Sequence, residues 1–181
     1  MKKEILYVHG YNSSGGTGHA LEAMLSPMGY QVHHFPIPQQ ADEAVARVKE
    51  YLIKHSDIQL VVGSSLGGIV TLQQTGYHKL VINPCLHPSV ELPKIGATND
   101  IAQSYLLYEE VLTQISTPEE RILTYGMFST NDELLNYSNE FATLYGNAHM
   151  SDIPQGKHRL SNELLSEYVV PQIVQIMLET V

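Results

Sequence analysis

Short apolar runs alternate with stretches of helical spacing along most of the chain. Residues 5–8, Ile-Leu-Tyr-Val, form a β-branched and aromatic run that ends at His9-Gly10 and predicts a buried strand. Residues 19–28 place Ala20, Leu21, Met24 and Leu25 on one helical face, and Gly29 stops them. Residues 31–35 read as a second strand, closed by Pro36 and Pro38. Residues 41–54 carry Ala41, Val45, Val48, Leu52 and Ile53 on one face, the mark of an amphipathic helix. Residues 58–62 predict a third strand, 65–75 a helix, and 79–83 a fourth strand closed by Pro84.

From 84 to 119 the rhythm breaks. Pro84, Pro88, Pro93 and Gly96 punctuate the first half, and Tyr105, Leu106, Val111, Leu112 and Ile115 suggest one short helix in the second. Residues 121–128 then predict a strand, 133–144 a helix and 148–153 a weak strand. Residues 161–181 read as helical with Ser161 as N-cap, and Pro171 either kinks that helix or opens a second one. Strand and helix alternating over this length imply an α/β fold, a mostly parallel sheet of about six strands with helices on both faces. In such sheets the sites lie beyond the carboxyl ends of the strands.

The chain has 181 residues, which fits one domain spanning 1–181, with 84–119 as a small lid or cap insertion. A formal charge of −9 argues against nucleic acid and anionic membrane surfaces as partners. The single cysteine, Cys85, has no internal disulfide partner, so a reducing compartment fits best. In Asn83-Pro84-Cys85-Leu86-His87 it reads as a buried thiol rather than a nucleophile. Lys2-Lys3 and the apolar residues after them are too short for a secretory leader, and no stretch reaches the length of a membrane span. A cytoplasmic protein is expected, and its oligomeric state is left open.

Gly63-Ser64-Ser65-Leu66-Gly67 directly follows the third strand and precedes a helix. This is the context of a nucleophile elbow, a sharp turn that lifts a serine hydroxyl above the sheet. Residues two places either side crowd the backbone, so Gly63 and Gly67 supply clearance. The register favours Ser65, with Ser64 as the other serine available. A serine nucleophile needs a base, and the base an orienting acid. In the elbow layout the chain order is serine, acid, histidine. Asp132, in Thr130-Asn131-Asp132-Glu133, follows the fifth strand, with Glu133 as its rival. A turn with a helix cap would explain the same residues. His158, in Gly156-Lys157-His158, follows the sixth strand. His149 falls at the start of that strand, at the wrong end of the sheet.

The loop His9-Gly10-Tyr11-Asn12-Ser13-Ser14 leaves the first strand on the same edge. In this layout Leu66 supplies one oxyanion N–H and Tyr11 the second. Gly10, Gly15, Gly16 and Gly18 match neither a P-loop nor a dinucleotide fingerprint. No histidine pair has strong metal-ligand spacing, since His33 and His34 point to opposite faces of a strand. Neither a cofactor nor a metal is therefore expected.

The residues 6–14, Leu-Tyr-Val-His-Gly-Tyr-Asn-Ser-Ser, and 62–68, Val-Gly-Ser-Ser-Leu-Gly-Gly, resemble the YqiA-like small esterases of the α/β-hydrolase superfamily. So do Val81-Ile82-Asn83-Pro84 and the surroundings of Asp132 and His158. The resemblance spans nearly the whole chain. It implies a compact α/β-hydrolase fold lacking the first antiparallel strands of larger relatives, and activity on a small-molecule acyl ester or thioester. It also implies triad roles for Ser65, Asp132 and His158. The chain departs from the family pattern at Tyr11, where Phe is usual, and around Gly156-Lys157-His158-Arg159. Two other functions fit the same fold: a non-catalytic binding protein and an acyltransferase using the same serine. Tyr105, Leu106, Leu107 and Tyr108 are expected either to line an apolar pocket or to form a packing helix.

Overall fold

The computed structural model describes residues 3–180. Met1 and Lys2, the start of the leader-like stretch, and Val181, the end of the expected last helix, lie outside the described residues. Strands β1 (Lys3–Val8), β2 (Tyr30–Phe35), β3 (Ile58–Ser64), β4 (His78–Ile82), β5 (Thr124–Ser129) and β6 (Met150–Ile153) form one sheet in the order β2-β1-β3-β4-β5-β6. Every neighbouring pair is parallel. Parallel strands buried on both faces read as continuous apolar runs, which is why Leu60, Val61 and Val62 are all fully buried.

Alternation along the strands splits the core in two. Leu6, Val8, Val61, Val81 and Phe128 face helices α2 (Ala41–Lys54), α3 (Leu66–Leu72) and α4 (Ser138–Tyr145). Ile5, Tyr7, Leu60, Val62, Leu80 and Met127 face α1 (Gly16–Leu25) and α5 (Val170–Glu179). The chain leaves β1 toward β2 on one side and returns to β3 on the other. This makes the β1/β3 crest the switch point where such sheets build sites. No helix among the described residues is long and apolar enough to cross a membrane.

Several local expectations are corrected. Ile53 is 66% exposed, and Ala44 takes its place on the buried face of α2. Helix α3 stops at Leu72 instead of reaching 75. Residues 121–123 are the end of a helix, Pro118–Leu123, not the start of β5. The Thr117 hydroxyl caps that helix by accepting the Glu120 N–H, Pro118 opens it, and Glu119 and Glu120 sit in its first turn. These start signals outweigh the strand-like run that follows. Residues 133–137 are not helical: the Asp132 carboxylate takes the N–H groups of Leu134 and Leu135 and holds a turn, so α4 begins only at Ser138.

Between 84 and 117 the chain forms short helices at Pro88–Glu91, Asn99–Ser104, Leu106–Glu110 and Leu112–Ile115, where one helix was expected. At the C-terminus Ser161 caps a single turn, as expected, and a π-helical turn at Leu165–Val169 leads into α5. Pro171 in the first turn of α5 lacks the N–H that a regular helix would direct to Glu167, and the wider π turn accommodates that gap.

Candidate active site

The reversal between β3 and α3 falls entirely on Ser65, whose φ is 53° and ψ −122°. A serine stays in that region only when its surroundings hold it there. Its N–H donates to the Ile82 carbonyl at 3.1 Å, and its carbonyl accepts the N–H of Cys85 at 2.9 Å and of Gly68 at 2.9 Å. The glycines permit the close approach. A Cβ on Gly67 would stand 2.6 Å from the His9 carbonyl oxygen, and one on Gly63 would stand 2.8 Å from the Gly67 carbonyl carbon. The elbow is therefore wedged between the ends of β1 and β4.

His158 Nε2 lies 3.1 Å from Ser65 Oγ, and its Nδ1 lies 2.9 Å from Asp132 Oδ2. In the tautomer with its proton on Nδ1, the ring donates to the carboxylate and turns the Nε2 lone pair toward the serine hydroxyl. The Asp132 side chain is only 3% exposed. Burial opposes its ionisation, but hydrogen bonds from His158, Leu135 and Leu134 outweigh that penalty and hold the carboxyl below the usual range. Glu133 does not touch the imidazole; its carboxylate accepts the His158 backbone N–H at 3.1 Å. Ser64 points elsewhere, with its hydroxyl 2.7 Å from the Tyr7 hydroxyl. His149 stacks on Tyr125 at the opposite end of the sheet, away from Ser65.

Asn83 is a residue whose part the sequence reading missed. It is buried at the end of β4 with φ 45°. Its Oδ1 accepts the Ser129 N–H at 2.7 Å. Its Nδ2 donates to Ser129 Oγ at 2.8 Å and reaches the carbonyls of His158 at 3.3 Å and Lys157 at 3.4 Å. One side chain thus ties the exit of β5 to the histidine loop. The signal available was an Asn before a Pro at a strand end, which alone reads as a turn.

A cavity of about 350 Å³ opens over Ser65 and His158. Tyr11 and Leu66 line it, and no described hydrogen bond takes the N–H of either. Leu66 opens α3, so its N–H is one of the donors every helix start leaves free. Leu92, Ile95, Leu134 and Leu135 supply apolar walls. Of the two expectations for Tyr105, Leu106, Leu107 and Tyr108, lining is not met, since none of them borders this cavity. Tyr105 packs fully buried in the core, whereas Leu106 and Leu107 face outward at 42% and 60% exposure. Cys85 borders the cavity but is 3% exposed. Burial, then the charges of Glu91 and Glu109, push its thiol up, so no reactive thiolate forms.

His33 and His34 do face opposite sides of β2. His33 binds Glu4 and Tyr51 on one side, while His34 turns to α1. There the fold gathers His19, Glu22 and His34, whose ligand atoms lie within 4.8 Å of one another, a grouping that spacing along the chain did not reveal.

The six-stranded parallel sheet with helices on both faces is an α/β-hydrolase fold. Solved structures agree on the fold. Est1E from Butyrivibrio proteoclasticus superposes with a TM-score of 0.76 at 15% identity, covering 99% of this chain and 88% of its own. A monoacylglycerol lipase from Paleococcus ferrophilus gives 0.73 at 13% identity, covering 100% and 96%. A soluble variant of monoglyceride lipase from Saccharomyces cerevisiae, in complex with a substrate analog, gives 0.74 at 12% identity, covering 99% and 87%. Within this fold the chain belongs to UPF0227, described as an uncharacterised protein family, whose model matches residues 4–175. No curated protein matches the sequence.

Proposed function

We propose that this chain is a serine hydrolase that cleaves small-molecule carboxylic esters or thioesters through an acyl-enzyme on Ser65. The observation that carries this reading is the continuous relay Ser65 Oγ–His158 Nε2 and His158 Nδ1–Asp132 Oδ2, at 3.1 and 2.9 Å, set on an elbow with φ 53°. The substrate carbonyl sits over Ser65, and His158 Nε2 takes the hydroxyl proton as Oγ bonds to the carbonyl carbon. The negative oxygen faces the free N–H groups of Leu66 and Tyr11. Collapse expels the alcohol or thiol, which takes the proton from His158. A water then repeats the sequence, freeing the acid and restoring Ser65. Asp132 keeps Nδ1 protonated and stabilises the imidazolium.

The apolar walls of Leu92, Ile95, Leu134 and Leu135 suit an acyl chain, which makes the 91–95 turn of the 84–119 segment a wall of the acyl pocket. The esterase and lipases that share the fold support the same chemistry. A lone buried thiol at Cys85 suits a reducing, cytoplasmic setting. Ser65→Ala, assayed on short p-nitrophenyl esters, tests the proposal. Turnover should fall by about 10⁶-fold, the scale of losing a triad nucleophile. Wild-type turnover in the variant overturns it.

A further inference from the structure

The cluster between α1 and β2 takes no part in the relay. His19 and Glu22 are three apart on α1 and share a face. His34 reaches that face from β2, placing its Nε2 2.9 Å from Glu22 Oε2, while His19 Nδ1 lies 3.7 Å from the same oxygen. The two imidazole rings lie 4.5 Å apart. We propose that His19, Glu22 and His34 form a binding site for a divalent transition-metal ion of the zinc type.

Three features carry the assignment. Two imidazole nitrogens and one carboxylate oxygen are a donor set for zinc and its neighbours, whereas calcium and magnesium take oxygen donors. Ligand atoms around a tetrahedral zinc stand about 3.4 Å apart, as bond lengths near 2.1 Å require. The three atoms here lie within 4.8 Å before any ion draws them together. His19 and Glu22 are 66% and 46% exposed at the side chain, so their rotamers are free to close and a fourth position stays open to water.

The helix is also shaped around the half-buried His34. A Cβ on Gly18 would stand 2.7 Å from His34 Nδ1 and 2.9 Å from the Tyr7 ring. Glycine inside a helix is less favourable than alanine, and here it makes room for the imidazole. His34 Nδ1 is buried with no hydrogen-bond partner among the described residues. Ligation through Nε2 exchanges its hydrogen bond to Glu22 for a shared ion and places the ring proton on Nδ1. The neighbouring His33 contrasts with it: both its nitrogens are engaged, with Glu4 and Tyr51, each at 2.8 Å. A net charge of −9 further favours cation capture.

The test is calorimetric titration of Zn²⁺ into the untagged, chelator-treated chain, with Co²⁺ absorption as a second readout. The wild type should bind one ion at this site. His19→Ala, Glu22→Gln and His34→Ala should each weaken binding at least about tenfold. His55→Gln, beside Tyr51 at the end of α2, should leave it unchanged. His19 and Glu22 are exposed, so their variants keep the test decisive if His34→Ala fails to fold. Absence of one-to-one binding in the wild type, or unchanged affinity in His19→Ala or Glu22→Gln, overturns the proposal. Binding is read without ester turnover, so its failure is separable from failure of the hydrolase reading.

Discussion

Ser65 and His158 face each other at 3.1 Å, yet the fold holds them by opposite means. Ser65 is set by consecutive residues: a strand, a helix and two glycines a few residues apart build the reversal, which then lodges backbone-to-backbone between the ends of β1 and β4. His158 is fixed from a distance. Asp132 orients its ring, Glu133 takes its backbone N–H, and Asn83 holds its carbonyl from a separate strand end. A locally built element can be read from consecutive residues and fails together with the fold. An element held by long-range hydrogen bonds can drift while the fold survives.

Substitutions on the two sides should separate along that line. Asp132→Asn should have the largest effect, lowering kcat by about 10⁴-fold as the imidazole tautomer is lost, with the fold retained. A circular dichroism melt beside the kinetics checks both halves. The same variant should change the acid limb of stability. The Asp132 carboxyl titrates lower in the folded chain than its unfolded value of about 3.9. Its contribution is full above that value and is lost as pH falls through the folded pKa. Asp132→Asn should therefore flatten the loss of stability below about pH 4, and an unchanged acid melt would contradict the assigned hydrogen bonds.

Gly67→Ala should fall next, on the other side of the comparison. Its methyl meets the β1 backbone, so stability should drop by about 1–3 kcal/mol, with activity lost in proportion to unfolded protein in a urea titration. Asn83→Ala should also cost about 1–3 kcal/mol, because it strands buried polar groups. Unlike the glycine variant, it should lower kcat in molecules that remain folded, since the histidine loop is released. Loss of stability with unchanged kcat would show that Asn83 only supports the sheet. The smallest effect belongs to Tyr11→Phe. Losing an oxyanion donor costs about 10²–10³ in kcat, but the proposed donor is the backbone N–H, which this variant keeps. Its kcat should stay within about twofold; a larger fall would place the hydroxyl in the chemistry.

The same division governs what the sequence disclosed. The six strands, helix α2 and the elbow follow from periodicity and from glycines at fixed offsets. The meeting of Ser65, Asp132 and His158 was legible because each residue follows a strand end. Asn83 was not, since its partners lie 46 to 75 residues away. Nor was the turn after Asp132, where a side chain takes two N–H groups that a helix start would have left free. The short helices between 84 and 117 escaped because the prolines and the buried Tyr105 there answer to tertiary packing, not to a repeating face. The cluster of His19, Glu22 and His34 escaped for a like reason: one side chain comes from a strand and two from a helix.

The central claim is that Ser65 is an activated nucleophile. Intact-mass and peptide mass spectrometry after treatment with a fluorophosphonate tests it most directly. One phosphonyl adduct on the peptide carrying Ser65, absent from Ser65→Ala and strongly slowed in His158→Ala, is the predicted result. No adduct on the folded wild-type chain, or an adduct that persists in Ser65→Ala, would contradict it.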